Sequence, residues 1–264
     1  GEGHWQEYLL ATEACGETPL YADLTGDGKP EPIFAMNGRI TWFRPGQDET
    51  MPWLAYPMSH MLEAFAKFGH GLGVGDVNGD GRPDVLTTEL WWEGPVDYTR
   101  PDWGFHRAKL GPDCADMIVY DVNNDGHNDV LTSSAHEYGV WWFEQTPGQG
   151  DSPFVQHEID KSISETHALI LADLNNDGLQ DLVTGKRYFA HGEHDPGALE
   201  PSLLCWYELQ RPEAGKVTYI KHVIDEDSGV GTQFNVLDFN EDGLLDIITS
   251  NKKGVYVFLQ KRGN

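Results

Sequence analysis

The chain is a succession of short apolar runs separated by polar turns, and it contains no long amphipathic stretch. In each period an apolar run such as residues 116–120 leads into an acidic loop, and a second run such as residues 129–132 leads out of it. A run rich in Trp follows, for example residues 140–145, and then a run of alternating polarity such as residues 154–160. Short runs with β-branched and aromatic residues are typical of β-strands. The pattern therefore predicts an all-β protein with four strands in each period.

The acidic loop occurs five times, and its spacing predicts the architecture. The copies cover residues 23–31, 76–84, 121–129, 173–181 and 238–246, so the period is about 45 to 65 residues, a spacing typical of propellers and other repeat arrays. Four strands per repeat around an axis form a propeller blade. We therefore predict a single five-bladed β-propeller domain over residues 1–264. In this prediction a strand at residues 4–12 pairs with residues 254–260 of the last blade and closes the ring, which removes two open sheet edges.

Each acidic loop carries the oxygen ligands that a hard cation needs. Side chains with oxygen atoms recur at loop positions one, three, five and nine, and Gly stands at position six, where the backbone must turn sharply. The five copies predict up to five structural Ca²⁺ ions, with the first loop weakest because Thr25 and Glu31 replace the usual Asn and Asp. The predicted ligands are Asp23, Asp27 and Glu31; Asp76, Asn78, Asp80 and Asp84; Asp121, Asn123, Asp125 and Asp129; Asp173, Asn175, Asp177 and Asp181; and Asp238, Asn240, Asp242 and Asp246.

Composition excludes several classes of partner. Asp and Glu number 43 against 18 Lys and Arg, which gives a formal net charge of −25. A chain this acidic is not expected to bind nucleic acid, because the phosphate backbone repels it. Membrane insertion is not expected either, because no apolar run approaches the roughly 18 residues of a membrane-spanning helix. The sequence does not determine the oligomeric state.

A second group of polar residues is predicted to meet at the end of the propeller opposite the calcium loops, which we call the mouth. The inner strand of each blade runs into its loop and the second strand runs back. Residues before the first strand and after the second therefore share this end. His, Lys and amide side chains recur there, and an inserted loop at residues 185–201 adds more. Such loops on a rigid scaffold commonly carry binding and catalytic groups.

The mouth therefore supplies the candidate functional residues. The predicted catalytic residues are His70, His136, His167, Lys186 and Arg187. The predicted substrate-binding residues are His191, His194, Gln233, Asn251 and Lys252. Neutral imidazoles are good ligands for borderline metals, so a second divalent metal at the His-lined mouth is also a candidate.

The five loops resemble the FG-GAP or VCBS-type repeat, and this resemblance extends over the whole chain. It implies a calcium-binding β-propeller, a fold that is a ligand-binding module in integrin heads and in some lectins. Residues 69–81, 133–142, 166–178, 185–197 and 228–238 look like secreted bacterial propeller proteins of carbohydrate-degrading organisms. They also resemble the propeller domain of aldos-2-ulose dehydratase, which eliminates water from keto-sugars but has more blades and attached cupin domains. The resemblance implies a carbohydrate or sugar-derived ligand and a secreted or periplasmic location, with a leader removed.

Two functions from different classes follow as hypotheses. In the first, the protein is a carbon–oxygen lyase of the sugar dehydratase type that acts on a keto-sugar or oxidised glycoside. A His would take the α-proton, and Lys186, Arg187 or a His-bound metal would stabilise the enolate. In the second, it is a non-catalytic lectin-like or protein-binding propeller module whose calcium is structural. A glycosidase is a third hypothesis, although no pair of facing carboxylates can be named from sequence. The sequence leaves open whether the protein is an enzyme.

Overall fold

The computed structural model describes residues 3–65, 69–112, 114, 116–148 and 152–262. These residues form nineteen β-strands and one 3-10 turn at Glu63–Phe65, and none of the described segments is an α-helix. The all-β prediction is therefore confirmed. The strands are grouped in five consecutive antiparallel units, each of which contains one acidic loop between its first two strands.

The five units are numbered in chain order, and their strands have the following bounds. Unit one contains β1 (Cys15–Ala22), β2 (Glu31–Met36), β3 (Arg39–Arg44) and β4 (Leu54–Pro57). Unit two contains β5 (Leu72–Gly75), β6 (Asp84–Leu86), β7 (Leu90–Trp92) and β8 (Phe105–Arg107). Unit three contains β9 (Asp116–Tyr120), β10 (Asp129–Ser133), β11 (Tyr138–Gln145) and β12 (Phe154–Ser164). Unit four contains β13 (Leu169–Ala172), β14 (Asp181–Gly185), β15 (Leu204–Glu213) and β16 (Lys216–Asp225), and unit five contains β17 (Phe234–Leu237), β18 (Asp246–Asn251) and β19 (Gly254–Phe258).

The first strands of the units lie side by side, in the order β1, β5, β9, β13 and β17. Units two and three are joined into one eight-stranded sheet, because β5 and β9 pair in parallel with Gly73 opposite Met117. A Cβ atom at Gly73 would lie only 2.5 Å from the Met117 carbonyl oxygen, so the close approach of these two strands requires glycine. The sheets are therefore curled around the row of first strands.

The hydrophobic core consists of one cluster between each pair of neighbouring units. Trp42 of unit one packs with Trp92 of unit two, and Leu86 of unit two packs with Met117 of unit three. Corresponding clusters join units three and four and units four and five. Within the described part of the chain no such cluster joins units five and one. The structure therefore shows four interfaces between units, whereas the sequence pattern predicted a closed ring.

The predicted closing strand is wrong. Residues 4–12 form no strand, and the sheet of unit five has only its three strands, with β19 paired to β18 alone among the described residues. The carbonyl of Leu10 instead accepts a 2.9 Å hydrogen bond from the Trp53 N–H, which holds the segment beside unit one. Its apolar residues 8–10 are consecutive and not alternating, so a strand there could not bury them all on one face.

The described chain contains no helix that is long and apolar enough to cross a membrane.

Candidate functional site

The acidic loops all share one backbone conformation. In the second loop the Oδ1 atom of Asp76 accepts hydrogen bonds from the N–H groups of Gly79 and Asp80, and its Oδ2 atom accepts one from Gly81. The sixth residue of every loop is a glycine with φ between 82° and 89°, the left-handed region that side chains disfavour. The predicted sharp turn at position six is therefore confirmed.

The ninth residue of each loop is buried and ties the loop to its sheet. In the second loop Asp84 accepts one hydrogen bond from the Val77 N–H at 2.8 Å and another from the Gly94 N–H at 2.7 Å. Asp129, Asp181 and Asp246 make the corresponding pair of backbone contacts in their own loops. Burial raises the pKa of Asp129 to about 7, although the hydrogen bonds from Gln145 and Val122 oppose the shift. This acid therefore also has a structural role, because both of its oxygen atoms accept backbone N–H groups, and its role as a calcium ligand stays a prediction.

The remaining oxygen-bearing side chains of the loops fit a hard cation. In loops two to five the position-three Asn contacts the position-five Asp, as Asn175 does with Asp177 at 2.9 Å. The first loop brings the three carboxylates of Asp23, Asp27 and Glu31 within 4.8 Å of one another, and no other loop does so among the described residues. Carboxylate and amide oxygens are the ligands that Ca²⁺ prefers. The first loop, predicted to be the weakest site, thus has the most convergent carboxylates.

A cluster of ionisable side chains lies at the opposite end of the first strands. Glu17 in β1, His70 before β5 and His167 before β13 occupy equivalent positions ahead of their acidic loops. The Oε2 atom of Glu17 is 3.4 Å from Nε2 of His70 and 3.4 Å from Nε2 of His167. Ala115, which has the equivalent position in unit three, lies outside the described residues. Three different units therefore bring one carboxylate and two imidazoles together.

A second trio adjoins the first. Both His136 and His191 direct Nδ1 at Oδ2 of Asp195, at 3.2 Å and 2.6 Å, and their rings stack 4.6 Å apart. Burial acts to raise the pKa of Asp195, but hydrogen bonds with His191 and His136 outweigh it and lower the pKa below the ordinary value. The Nε2 atoms of His136 and His70 are 3.1 Å apart, which links the two trios. We call the six residues of both trios the mouth cluster.

The mouth cluster has the ligand chemistry of a divalent metal site. Glu17, His70 and His167 each offer one ligand atom, as do His136, His191 and Asp195, and within each trio these atoms lie within 4.8 Å of one another. Burial lowers the pKa of His167 to about 4, Arg187 and His70 act in the same direction, and Glu17 opposes them. The ring is therefore neutral at pH 7, the form in which imidazole binds a metal. Two His and one carboxylate with an open position suit Zn²⁺ or a similar first-row ion.

Lys186 does not line the mouth, which corrects its predicted catalytic role. Its side chain is 2% exposed, and its ammonium group donates a 2.6 Å hydrogen bond to Glu165, whose side chain is fully buried. A weaker contact of 3.4 Å reaches the carbonyl of Ala198. The ammonium group is therefore occupied by a structural ion pair and is not available to a ligand.

The neighbouring Arg187 has a different environment. Burial lowers the pKa of its guanidinium group, while Glu17, Glu165 and Asp195 act in the opposite direction. Its Nη1 atom is buried without a hydrogen-bond partner, and the side chain makes no ion pair within 4.0 Å of any described residue. Arg187 is therefore a positively charged group with one buried donor, Nη1, that has no partner among the described residues.

A cavity of about 220 Å³, which we call the Arg187 cavity, lies between units four and five and is lined in part by Arg187. Lys252 donates from Nζ to the carbonyl of Phe189, and Tyr188 is 38% exposed. The lining residues are Arg187, Tyr188, Ala190, Val230, Gly231, Thr232, Ser250, Asn251 and Lys252. The structure thus places three predicted site residues, Arg187, Asn251 and Lys252, in one cavity.

The other predicted site residues are distributed as follows. Gln233 is exposed and donates from Nε2 to Asp116 at 3.3 Å, which joins unit five to unit three. His194 is exposed and belongs to neither trio among the described residues. His70, His136, His167 and His191 are brought together, whereas His194 is not.

Three acidic residues of this region were not predicted as site residues. Glu17 occupies the same position before its loop as His70 and His167, so alignment of the repeats pointed to it although its residue type differs. Asp195 follows His191 by four residues in the inserted loop. Asp116 is 7% exposed, and its Oδ2 atom accepts a hydrogen bond from the Leu169 N–H at 3.2 Å. Apart from the repeat position of Glu17, no residue type or motif separated these acids from the many others of the chain.

Asp116 predicts a pH-dependent effect on stability. Burial raises its pKa to about 6, against hydrogen bonds from Leu169 and Gln233, so folding favours the protonated form. Ionised Asp116 therefore destabilises the folded protein, and this loss of stability grows as pH rises from about 4 to about 6 and stays constant above pH 6. A shift of about two pKa units corresponds to a loss of about 3 kcal/mol. We expect Asp116→Asn to raise the free energy of unfolding at pH 7.5 by up to that amount, with a smaller gain at pH 4.5.

Urea denaturation at the two pH values measures this difference. Asp227→Asn is the matched control, because Asp227 is 89% exposed and its surface pairing with Lys253 contributes little to stability. Equal effects of Asp116→Asn at pH 4.5 and pH 7.5 would contradict the prediction.

Comparison with known proteins agrees with this architecture. A family model described as FG-GAP-like repeat matches residues 23–87 and 121–184. A search of curated protein sequences gave no match.

Two solved structures are similar to this chain over most of its length. The chain is similar to an Agrocybe aegerita lectin that recognises non-reducing terminal N-acetylglucosamine, at 16% identity and a TM-score of 0.53, with 90% of this chain and 61% of the lectin covered. It is also similar to the V. cholerae biofilm matrix protein Bap1, at 17% identity and a TM-score of 0.41, over 81% of this chain and 30% of Bap1. The chain thus spans less than two thirds of the length of either protein. It contains FG-GAP-like repeats and shares the fold of the lectin.

Proposed function

We propose that this protein is a carbohydrate-binding module of the lectin type, and that sugars bind at the mouth. The observation that carries the proposal is the convergence of polar side chains from all five units: Glu17, His70, His136, His167 and the pair of Asp116 with Gln233. A repeat fold needs no such convergence for packing. The fold similarity to a lectin that recognises N-acetylglucosamine supports a sugar as the ligand.

We further propose that the five units are the blades of a five-bladed propeller. The contacts of Glu17 with His167 and of Gln233 with Asp116 cross from unit one to unit four and from unit five to unit three. Such contacts are expected when the first strands surround a common axis, and they support this arrangement. Calcium in the acidic loops would stabilise the ends of these strands, and Asp173, Asn175 and Asp177 illustrate the proposed ligand set. A secreted or periplasmic location, where calcium is plentiful, remains part of the proposal.

A second divalent metal at the mouth is part of the same proposal. Glu17, His70 and His167 would hold it, and the ion would bind the hydroxyl oxygens of a sugar. The three ligands come from three different units, and the hydrophobic clusters between the units hold these ligands in position for the metal.

The lyase hypothesis remains the second candidate because of one contact. Asp195 holds Nδ1 of His136 at 3.2 Å, and a carboxylate in this position orients an imidazole for use as a general base. Lys186 no longer supports this hypothesis, since its ammonium group is bound to Glu165. If an unsaturated product formed from a keto-sugar or a 3-keto-glycoside, the lyase hypothesis would be preferred to the lectin hypothesis.

Glycan binding by mouth variants tests the proposed function. We expect the wild-type protein to bind a defined subset of sugars on a glycan array, and Glu17→Gln and His70→Asn each to weaken that binding by at least about tenfold, as loss of a central contact does in other interfaces. His106→Asn is the matched control. His106 is 48% exposed on the side chain and stacks on Trp91 at 4.1 Å, on the outer strand of unit two.

The outcome separates the alternatives. Retained binding by His106→Asn together with loss in both mouth variants supports the mouth as the site. An array on which the wild-type protein binds no glycan, or on which all three variants behave alike, would contradict it. Melting curves recorded beside the array show that each variant is folded.

A further inference from the structure

We propose that the sugar bound at this mouth is acidic, and that Arg187 binds its carboxylate. The inference rests on the proposed carbohydrate binding and names the class of ligand. It is drawn from three features of the Arg187 cavity: an unpaired guanidinium group, the sign of the lining charges and the size of the space.

The unpaired guanidinium group is the first feature. The Nη1 atom of Arg187 is buried, and among the described residues nothing accepts a hydrogen bond from it. A buried charged donor without a partner is costly to a fold and is uncommon unless a ligand completes it. The planar fork of guanidinium matches a carboxylate with two parallel hydrogen bonds, an arrangement that lysine cannot make.

The neighbouring acidic residues are not partners of the Arg187 guanidinium group. Glu165 is bound to Lys186 at 2.6 Å, and Asp195 is shared by His136 and His191. Glu17 faces His70 and His167 at 3.4 Å. Burial lowers the pKa of Arg187, and these three nearby carboxylates oppose that larger effect. None of them forms an ion pair with Arg187 among the described contacts.

The sign of the lining charges is the second feature. The chain has a net charge of −25, so an anionic ligand is repelled by most of its surface. The two charged residues that line the Arg187 cavity are nevertheless Arg187 and Lys252, and no described lining residue is acidic. Lys253 lies 5.0 Å from the ring of Tyr188 at the same end, although it is paired with Asp227. The cavity is thus a local cationic site in an acidic protein.

The size and polarity of the cavity are the third feature. Its volume of about 220 Å³ is roughly that of seven liquid water molecules, which suits one sugar ring with its carboxylate. Thr232, Ser250 and Asn251 offer hydroxyl and amide groups for sugar hydroxyls, and Tyr188 offers a partly exposed aromatic ring. A single uronic acid residue, free or at the end of a polysaccharide, has all the matching groups.

Matched pairs of sugars test the inference. The probes are the methyl glycosides of glucuronate and glucose, of galacturonate and galactose, and of mannuronate and mannose, titrated calorimetrically. We expect at least one uronate to bind about tenfold or more tightly than its neutral partner, as for a charge-assisted hydrogen bond, and added salt to reduce this preference. Arg187→Gln should bring the ratio close to one, and Arg187→Lys should keep part of it.

The controls distinguish this inference from the proposed function. Arg100→Gln alters an exposed arginine outside the mouth and should leave the preference unchanged. Lys252→Gln, at an exposed position, should reduce the preference if Arg187→Gln does not fold. Equal binding of uronates and neutral sugars overturns the acidic ligand and leaves carbohydrate binding intact. A preference for uronates that survives Arg187→Gln also overturns it, and absence of binding to every sugar overturns both proposals.

Discussion

Removal of calcium with excess EGTA is expected to lower the melting temperature of this protein by tens of degrees. An ion that binds only the folded state stabilises it by about 2.7 kcal/mol at a hundredfold excess over its Kd. For a chain of this length 1 kcal/mol corresponds to about 2–4 °C, so one site contributes about 5–10 °C and several sites contribute more. Without the ion, like charges in a loop act on one another: burial is the main cause that raises the pKa of Asp181, and the carboxylates of Asp177 and Asp173 raise it further.

Circular dichroism melts in CaCl₂ and in EGTA measure this effect. Addition of calcium to the chelated sample should restore the original curve, which separates loss of the ion from irreversible damage. The double variant Asp173→Asn/Asp177→Asn should show a smaller difference between the two conditions. An identical melting curve with and without EGTA would contradict the prediction that calcium stabilises the fold.

Lys186→Met is expected to destabilise the protein by about 3–5 kcal/mol, because it leaves a buried carboxylate without its cation. The ammonium group of Lys186 and the carboxylate of Glu165 are 2.6 Å apart, and both side chains are almost completely inaccessible. Methionine has a similar length and fills the same space, so the loss comes from the uncompensated charge and not from a cavity. Urea denaturation at pH 7.5 measures the change.

The double variant Lys186→Met/Glu165→Gln is the control for this interpretation. Removal of both charges should recover much of the loss, since the unpaired carboxylate is then gone. A loss below about 1 kcal/mol in the single variant would mean that the pair is exposed to water in solution. In that case Lys186 would again be a candidate for contact with ligand.

Local patterns predicted the strands and the turns well because those features depend on neighbouring residues. The first strands of units two to five are specified by short apolar runs before each loop, and the glycine at loop position six is specified by the need for positive φ. The pairing of distant elements is specified differently. Residues 4–12 have apolar character, but the partner of that segment is decided by the Trp53 N–H beside unit one, which no local pattern reveals.

The candidate site shows the same difference between features that local sequence predicts and features that depend on distant residues. Alignment of the repeats correctly placed His70 and His167 at one end of the strands, and the repeat position also contained Glu17. The alignment did not show which charged side chains would form ion pairs inside the protein. Lys186 and Arg187 are adjacent in sequence, yet one lies in a buried ion pair and the other has no ionic partner among the described residues. Glu165 lies near both residues, but its carboxylate forms an ion pair with Lys186 and, among the described contacts, none with Arg187.

The edge of unit five, which no described strand covers, affects the interpretation of binding experiments. Val257 and Leu259 are partly exposed beside a groove of about 510 Å³ that also contacts Trp206 and Ile224. Apolar side chains of this kind can bind hydrophobic probes and glycan linkers without specificity. Binding that persists in every mouth variant would therefore point to this groove and not to the mouth.

The most direct test of a sugar site at the mouth is a crystal structure of the protein with its tightest-binding sugar. We predict density for one sugar ring in the Arg187 cavity, with a carboxylate within hydrogen-bond distance of the Arg187 guanidinium group and hydroxyls near the mouth cluster. Density for the sugar on an outer strand, or in the groove beside β19, with none near Arg187, would contradict the account.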